Sequence, residues 1–398
     1  MYNSSMKYHI TTFGCQMNVH ESEKLAGILE KLGYLLTDDI SQADVIVFNT
    51  CAIREGAQDR AIGNIGALKK IKKDNPEKII AVCGCMTQQK TVSENLYKTF
   101  PFIDIIFGTK NFERFENFLR AIRPNFSIVE NLEAVDKKSK KRKRILEIEE
   151  NDNIYEDLPM SRSSGDNYWV NIIYGCNNFC SYCIVPYVRG RERSRNKEDI
   201  LKEIKSLVSE KSDLKKKIRI TLLGQNVNSY GKDKYNDYGF AELLEDICKL
   251  DANFELTFMT SHPKDITNKV IETIAKEEKI VKELHLPIQS GSNEVLRLMN
   301  RKYKVEDYLA KVDYLRKLIP DIRLTTDIIV GFPGETEEDF NATYNLIKNV
   351  KYHGVFAFMF SPRSGTVAEK MADQLPFEIK NERVNKILNL QKEITNKE

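Results

Sequence analysis

Long apolar runs, cysteine-rich stretches and an excess of one charge are all missing from this sequence. No stretch approaches the ~18 consecutive apolar residues of a transmembrane helix, which excludes a membrane-spanning helix. The N-terminal MYNSSMKYHI has no apolar signal core, so we expect a cytoplasmic protein rather than an exported one. Eight cysteines among 398 residues are too few for a disulfide scaffold. In a cytosolic protein, spaced cysteines indicate metal binding or catalysis more often than disulfides.

The charges nearly cancel, because 61 Lys and Arg face 58 Asp and Glu, a formal net charge of +3. This balance neither requires nor excludes a nucleic-acid partner, since binding follows the charge of one face. Hydrophobic residues make up 41% and charged residues 30%, which is typical of a folded globular protein. At roughly 150 residues per domain, the length predicts two to three domains.

Strands and helices alternate through residues 1–124. Short apolar runs predict strands at 8–13, 44–49, 78–84 and 103–108. After the first of these, a helix is indicated by apolar residues at helical spacing: Leu25, Ile28, Leu29 and Leu32. This alternation predicts an α/β domain with a doubly wound parallel sheet.

A charged linker is predicted for residues 125–161. Seven of the eight residues from Lys137 to Arg144 are basic, and six acidic residues follow between Glu147 and Asp157. Charge blocks of this kind are typical of solvated segments, although a basic run also suits an RNA phosphate backbone.

The alternation resumes over residues 162–376. Candidate strands lie at 168–174, 218–223, 254–260, 282–288, 323–330 and 352–360, with helical stretches between them. Six such units predict a partial βα barrel whose site lies at the C-terminal ends of the strands. A charged helix over 377–398 has no apolar core of its own and reaches the end of the sequence.

Three cysteines in YGCNNFCSYCIVP form the sharpest motif, a CxxxCxxC of Cys176, Cys180 and Cys183 that directly follows a predicted strand. Three thiolates are one fewer than the four that close an ordinary iron–sulfur cluster, so one iron would stay open to a ligand. Zinc is the alternative, but no nearby fourth Cys or His completes a tetrahedral site.

Three further cysteines are far apart in the sequence: Cys15, Cys51 and Cys85. Each lies just beyond a predicted parallel strand, at the sheet edge where ligands of such domains gather. The three thiols therefore either converge on one site or are unrelated buried cysteines, since free cysteine is often a core residue. Cys83 and Cys248 are predicted to be core residues.

The motifs together resemble the radical S-adenosylmethionine methylthiotransferases, and within them the tRNA branch. The resemblance extends from Lys7 to about Lys392 through GCQMN, HESEK, NTCAIRE, GCMTQ, the CxxxCxxC motif, PYVRGRERSR, TLLGQNVNSYG, FMTSHPKD, LHLPIQSGSN, MNRKY, DIIVGFPGET and FSPRSGT. It implies a radical [4Fe-4S] cluster on Cys176, Cys180 and Cys183, and an auxiliary [4Fe-4S] cluster on Cys15, Cys51 and Cys85.

The family's activity is then the expected one. S-adenosylmethionine would yield a radical that takes hydrogen from C2 of N6-isopentenyladenosine beside the anticodon of tRNA. The auxiliary cluster would supply sulfur, and a second S-adenosylmethionine the methyl group. Two other hypotheses are the same chemistry on threonylcarbamoyladenosine or a ribosomal-protein aspartate, and a non-catalytic iron–sulfur carrier. An electron donor such as flavodoxin or ferredoxin and a sulfur source are expected partners.

Other residues are predicted to bind the cofactor or RNA. The resemblance places Tyr182 near adenine and Asp327 and Gly331 near the cofactor, while the alternative for the last two is a plain βα turn. Amides and hydroxyls that follow two strands are further candidates for the cofactor site: Gly224, Gln225, Asn226, Gln289, Ser290 and Gly291. His285 is predicted to be a core histidine, and the alternating Phe356, Phe358 and Phe360 a barrel-facing stripe.

A row of arginines at every second position follows the CxxxCxxC motif. On an extended segment these side chains share one face, which predicts an RNA contact by Arg189, Arg191, Arg193 and Arg195. The alternative is a solvated edge. Members of the family usually carry a small RNA-binding β-barrel after the last helix, and this sequence stops within that helix, which leaves the RNA affinity open but not the expected chemistry.

Overall fold

The computed structural model describes residues 6–52, 55–123, 143–149, 153–162, 165–210 and 217–396. These residues form two compact units. Unit 1 comprises Met1–Gly165 together with Tyr187–Arg189, and unit 2 comprises Asp166–Pro186 together with Gly190–Glu398. Among the described residues, no helix combines the length and the apolar character needed to cross a lipid bilayer.

Unit 1 is built on one parallel sheet. Its elements along the chain are β1 Lys7–Thr12, α1 Gln16–Lys31, β2 Leu35–Leu36, β3 Val45–Thr50, α2 Glu55–Asp74, β4 Ile79–Gly84, α3 Lys90–Thr99, β5 Ile105–Phe107, α4 Phe115–Ile122 and β6 Ile145–Glu147. The strand order is β2-β1-β3-β4-β5-β6. Every residue of β3 and β4 is buried, because apolar clusters cover both faces of the sheet. The predicted doubly wound sheet is therefore confirmed.

The predicted linker is wrong over part of its length. Residues 145–147 are the edge strand β6, which pairs in parallel with β5. Arg144, the last residue of the basic run, donates to the carbonyl oxygens of Ile103 and Tyr97 and lies 3.8 Å from the ring centroid of Tyr97. A strand of three residues is too short to show an alternation of apolar and polar residues. The flanking charges therefore led to the prediction of a linker. The rest of the basic run, up to residue 142, lies outside the described residues.

Unit 2 holds six parallel strands in two curved three-stranded sheets. The described elements are β7 Asn167–Asn171, β8 Ile173–Tyr174, α5 Val185–Arg189, β9 Arg193–Ser194, α6 Lys197–Glu210, β10 Ile218–Leu223, α7 Phe240–Cys248, β11 Phe254–Phe258, α8 Asn268–Lys276, β12 Glu283–His285, α9 Asn293–Leu298, α10 Val305–Leu318, β13 Arg323–Val330, α11 Glu337–Val350, β14 Gly354–Met359 and α12 Phe377–Thr395. Helix α5 begins in unit 2 and ends in the segment that groups with unit 1.

The strand orders β11-β10-β7 and β12-β13-β14 continue into each other through a parallel bridge between Leu256 and Ile280. All six strands lie where the sequence predicted them, which supports a partial βα barrel. A small antiparallel ribbon of β8 and β9 is additional. Apolar residues between the strands and the outer helices form one large core.

The inner face of the second sheet is only partly covered. The His285 ring lies 6.0 Å from that of Phe356, and Asp327 is the register partner of Phe356. Phe356 and Phe358 remain about half exposed, whereas Phe360 is buried against Phe332. The stripe therefore faces the barrel as predicted, but only its last member belongs to the core.

Candidate functional site

The three dispersed cysteines of unit 1 lie at one edge of its sheet. Cys15 is the residue before α1 and follows β1, Cys51 follows β3, and Cys85 follows β4. Because β1, β3 and β4 are adjacent parallel strands, their C-terminal ends bring these residues to the same edge. The sequence predicted this convergence but left unrelated core positions open.

Two of the sulfur atoms approach a single amide. The Sγ atoms of Cys15 and Cys85 are each 3.9 Å from Oδ1 of Asn18. They are thus no farther apart than twice that distance, although 70 positions separate Cys15 from Cys85 in the sequence. The Asn18 side chain is itself fixed, since its Nδ2 donates to the carbonyl oxygens of Phe13 at 2.8 Å and Thr50 at 3.0 Å.

The third cysteine packs against Gly14. This glycine has φ +108°, and a Cβ on it would lie 2.5 Å from Cβ and 2.7 Å from Sγ of Cys51. Only glycine lets the chain pass here, because any side chain would displace Cys51. The glycine thus brings the turn that carries Cys15 against Cys51, and the three thiols form one group, the auxiliary triad.

Burial sets the chemistry of this triad. Cys51 and Cys85 are buried, and burial raises the pKa of the Cys85 thiol, with the charge of Arg189 opposing that rise. A buried thiolate therefore needs a metal or a cation beside it. Within the described residues, no three His, Cys, Asp or Glu side chains converge on one metal ion. The ligands of a four-iron cluster bind separate iron atoms and need not converge in that way.

The second group of cysteines, the radical triad, lies in the loop between β8 and α5 of unit 2. Gly175 precedes it with φ +76°, and a Cβ there would overlap the carbonyl oxygen of Arg191. The backbone nitrogen of Cys176 donates to the oxygen of Gly190 at 3.1 Å, and that of Cys183 donates to the oxygen of Cys180 at 2.9 Å. These bonds close the loop so that Cys176, Cys180 and Cys183 lie in one compact turn.

Side-chain N–H groups, one from the loop itself and one from Arg301, reach two of the three sulfurs. Nδ2 of Asn178 lies 3.6 Å from Sγ of Cys176, and Nη1 of Arg301 lies 3.4 Å from Sγ of Cys180. Burial raises the pKa of Cys176 to about 11 and that of Cys183 to about 12. Three thiols, two of them with an N–H donor on the sulfur, suit an iron–sulfur cluster, whose potential depends on such donors.

Arg301 is a site residue that the sequence prediction missed, although MNRKY belongs to the motifs that carried the resemblance. It is buried, and its guanidinium also donates to the Tyr303 hydroxyl at 2.8 Å and to the carbonyl oxygen of Pro287 at 2.9 Å. Arg301 is thus a buried cation with three hydrogen-bond partners, one of which is the Cys180 sulfur. The only available signal was an arginine shortly after a short helix, which is not distinctive.

Two of the predicted cofactor residues after β10 contact the residues that precede the radical triad in the chain. A Cβ on Gly224 would overlap the Ile173 side chain, and the Gln225 amide oxygen accepts a hydrogen bond from the backbone of Gly175. Asn226 is buried and donates to Asp265 and Ser229, each at 2.7 Å. Gly224 and Gln225 thus shape the cluster loop, and direct contact of Asn226 with a cofactor stays a prediction.

The predicted cofactor residues after β12 are held largely by internal contacts. Gln289 has φ +75° and pairs through its backbone with Asp327 and Ile329. The hydroxyls of Ser290 and Thr343 are 3.2 Å apart, and a Cβ on Gly291 would lie 2.6 Å from Cα of Thr343. Internal packing and hydrogen bonds therefore account for these residue types without a cofactor.

The remaining cofactor candidates differ in exposure. Tyr182 packs edge-on against Phe332 with ring centroids 6.4 Å apart. Asp327 is partly exposed on the inner face, where its Oδ2 lies 3.3 Å from Nε2 of His285. Gly331 has φ +68°, and its backbone nitrogen donates to the Glu335 carboxylate at 2.8 Å. His285 is therefore a partnered histidine of the strand, although it is partly exposed.

The prediction that the four arginines share one face is wrong. Gly190 with φ +78° interrupts the segment, so the four side chains do not share one face. Arg189 is buried beside Glu21, and Arg195 is buried with its guanidinium 2.7 Å from Glu203. Neither can reach an RNA phosphate from these positions. Arg191 is exposed and lies 4.4 Å from the ring centroid of Phe179, and Arg193 is half-buried.

Two separate segments of the chain match known protein families. Residues 170–347 match the Radical SAM superfamily, and residues 7–108 match the Uncharacterized protein family UPF0004. The first range contains the radical triad and the second contains the auxiliary triad.

Curated relatives match nearly the whole chain. A tRNA-2-methylthio-N(6)-dimethylallyladenosine synthase of Clostridium botulinum is 50% identical over 99% of this chain and 83% of its own length. Proteins of the same name are 49% identical in Thermoanaerobacter pseudethanolicus, over 98% of this chain and 79% of the relative, and in Caldicellulosiruptor saccharolyticus, over 97% and 78%.

Solved structures share the fold at low sequence identity. The radical S-adenosylmethionine methyltransferase TsrM from Kitasatospora setae has a TM-score of 0.62 at 13% identity, covering 92% of this chain and 77% of its own. The cobalamin-dependent S-adenosylmethionine radical enzyme OxsB has a TM-score of 0.59 at 12% identity, covering 99% and 56%. Both support the α/β architecture described above.

Proposed function

Because this chain belongs to the radical S-adenosylmethionine tRNA methylthiotransferases, which use S-adenosylmethionine and two [4Fe-4S] clusters, we propose a division of labour between its two cysteine triads. Cys176, Cys180 and Cys183 hold the radical cluster. Cys15, Cys51 and Cys85 hold the auxiliary cluster. The observation that carries this assignment is the convergence of two separate sets of three thiols, each with a buried arginine in contact with it or its neighbours.

The substrate we propose is N6-isopentenyladenosine beside the anticodon of tRNA, converted at C2 to its 2-methylthio derivative. The names of the relatives that match almost the entire chain support this choice over threonylcarbamoyladenosine or a protein aspartate. A purely electron-carrying role is disfavoured, since a carrier does not need a partial barrel with an open inner face. A cytoplasmic location fits a tRNA substrate and stays a prediction.

When bound, the two clusters and S-adenosylmethionine supply the one-electron chemistry, the sulfur and the methyl group that an unactivated aromatic C–H bond requires. The chain's own residues bind and shield these groups. Three cysteines in each triad leave one iron without a protein ligand, where a substrate or cofactor can bind. Asn178 and Arg301 donate to sulfurs of the radical triad and fix their orientation.

The inner face of unit 2 would receive the cofactor and the base. We assign the adenine environment to Tyr182 and Gly331, and a polar contact to Asp327, which is partly exposed beside His285. Asn226, Gln289 and Ser290 remain candidates through their position at the strand ends. The half-exposed Phe356 and Phe358 offer apolar faces on which a purine can stack.

RNA would be contacted by Arg191, which is exposed in the segment after the radical triad, together with Arg193. An electron donor of the flavodoxin or ferredoxin type and a sulfur donor complete the proposed reaction. The experiment that tests the function is anaerobic reconstitution, reaction with tRNA carrying isopentenyladenosine, and mass spectrometry of the digested nucleosides. The isopentenyladenosine is expected to carry a methylthio group in place of one hydrogen, and an unchanged isopentenyladenosine would exclude the proposed substrate.

A further inference from the structure

Arg189 is a buried cation that neither the motifs nor the family assignment explains. Its side chain is 3% exposed. Nη1 lies 2.6 Å from Oε1 of Glu21, and Nη2 donates to Oδ1 of Asn18 at 3.0 Å. Glu21 and Asn18 are three residues apart in α1 and therefore lie on one face of that helix. The helix thus fixes the guanidinium in position and orientation.

The same amide oxygen connects Arg189 to the auxiliary triad. Oδ1 of Asn18 accepts from Arg189 and also lies 3.9 Å from the sulfurs of Cys15 and Cys85. The guanidinium is therefore one hydrogen-bonded amide away from two of the three sulfur atoms.

Cluster binding increases the need for a positive charge at this place. A four-iron cluster with three thiolate ligands carries a net negative charge, which reduction makes larger. In a buried site an unbalanced charge is costly, because water cannot solvate it. Hydrogen bonds and nearby charges are among the factors that set the potential of such clusters.

We propose that Arg189 is the positioning and counter-charge residue of the auxiliary cluster, with Glu21 and Asn18 aiming its guanidinium at the side of Cys15 and Cys85. Its positive charge stabilises the reduced cluster, and Glu21 limits that effect because it brings a negative charge to the same network. The inference rests on the proposed assignment of Cys15, Cys51 and Cys85.

The test uses the reduction potential of the auxiliary cluster in the whole 398-residue chain. Changing Cys176, Cys180 and Cys183 to Ala removes the radical cluster, so that only one cluster gives a signal. Redox titration followed by electron paramagnetic resonance is then run on four further variants: Arg189→Gln, Arg189→Lys, Glu21→Gln and Arg195→Gln. The last is the matched control, since Arg195 is equally buried and pairs with Glu203 within unit 2.

Arg189→Gln is expected to disfavour reduction at least tenfold, a shift of about 59 mV or more to negative potential for one electron. Glu21→Gln is expected to shift the potential in the opposite direction. Arg189→Lys keeps the charge and should stay close to the parent, as should Arg195→Gln. Opposite signs for the two partners of one ion pair are not expected from mere loss of packing.

Three results would overturn the proposal: a potential for Arg189→Gln equal to that of Arg195→Gln, shifts of the same sign for Arg189→Gln and Glu21→Gln, or a large shift for Arg189→Lys. If Arg189→Gln binds no iron, Arg189→Lys decides, because a charge role predicts that it loads a cluster of near-parental potential. If the parent that lacks Cys176, Cys180 and Cys183 binds no iron, the assignment of a cluster to Cys15, Cys51 and Cys85 is wrong. That outcome is distinct from a failure of the Arg189 proposal, in which the parent binds iron but its potential does not respond to Arg189.

Discussion

At the scale of single residues, the site depends on positions that carry no reactive group. Gly14 makes room for Cys51, and Asn18 fastens the turns after β1 and β3 to each other. Both belong to the same GCQMN segment as Cys15. The arrangement of the three cysteines therefore depends on close backbone approach as much as on the cysteines themselves.

Gly14→Ala should prevent loading of the auxiliary cluster. The new Cβ would overlap Cys51 and would sit on a backbone with φ +108°, so we expect a loss of more than about 1 kcal/mol in the free energy of unfolding. The control is Gly63→Ala in α2, where a Cβ meets no atom within 4 Å and a helical alanine should be neutral or stabilising. Thermal melting and iron content measure both effects, and normal iron in Gly14→Ala would contradict the tight contact.

Cys51→Ala should abolish methylthiolation while cleavage of S-adenosylmethionine by the radical triad continues. The physical reason is that the auxiliary triad loses one of its three ligands, whereas the radical triad lies in the other unit. Cys248→Ala should be nearly silent, because Cys248 packs in the apolar core as a small side chain. Assays of 5′-deoxyadenosine and of product nucleoside distinguish the two reactions. An inactive Cys248→Ala beside an active Cys51→Ala would reverse the grouping.

At the scale of elements, the segment after the radical triad turns sharply instead of running straight. The short helix α5, Gly190 and the ribbon strand β9 send Arg189 and Arg195 inward and leave Arg191 exposed. Alternation along the sequence predicts a common face only if the backbone is extended throughout. The partners that hold the buried arginines, Glu21 and Glu203, are distant in sequence or on another element, so no local pattern indicated them.

Arg191→Gln should weaken tRNA binding and reduce its salt dependence by a slope of about 0.7, the contribution of one phosphate contact on single-stranded RNA. Cleavage of S-adenosylmethionine without tRNA should stay near the wild-type rate. Arg316→Gln is the matched control, because Arg316 lies in the last turn of α10, which leads to the N-terminal end of β13 and away from the site. Affinity measured at two salt concentrations tests the contact, and equal slopes for both variants would refute it.

At the scale of the whole molecule, the sequence predicted the six barrel strands, the main strands of the first sheet and both cysteine triads. Apolar runs indicated the strands, and the CxxxCxxC spacing indicated the radical triad. The positions of Cys15, Cys51 and Cys85 after strands left unrelated core residues open, and the family resemblance grouped them. The prediction failed where tertiary contacts decide: the edge strand Ile145–Glu147, whose partner is β5, and the buried Arg301 and Arg189. Their contacts join residues dozens to more than a hundred positions apart.

The division into two units predicts how iron is distributed over the molecule. Each triad consists of residues of one unit only, so each cluster should assemble without the other. The reconstituted chain should hold about eight irons, since two cubane clusters contain four each. Removing Cys176, Cys180 and Cys183 should leave roughly four irons, and so should removing Cys15, Cys51 and Cys85. Because the triads do not share a ligand, the two losses should add, and the variant lacking all six cysteines should hold almost no iron.

Iron and sulfide analysis measures all four proteins, with circular dichroism as the control for folding. Full iron content in either triple variant would disprove the corresponding ligand set, and loss of all iron in one of them would show that the clusters depend on each other.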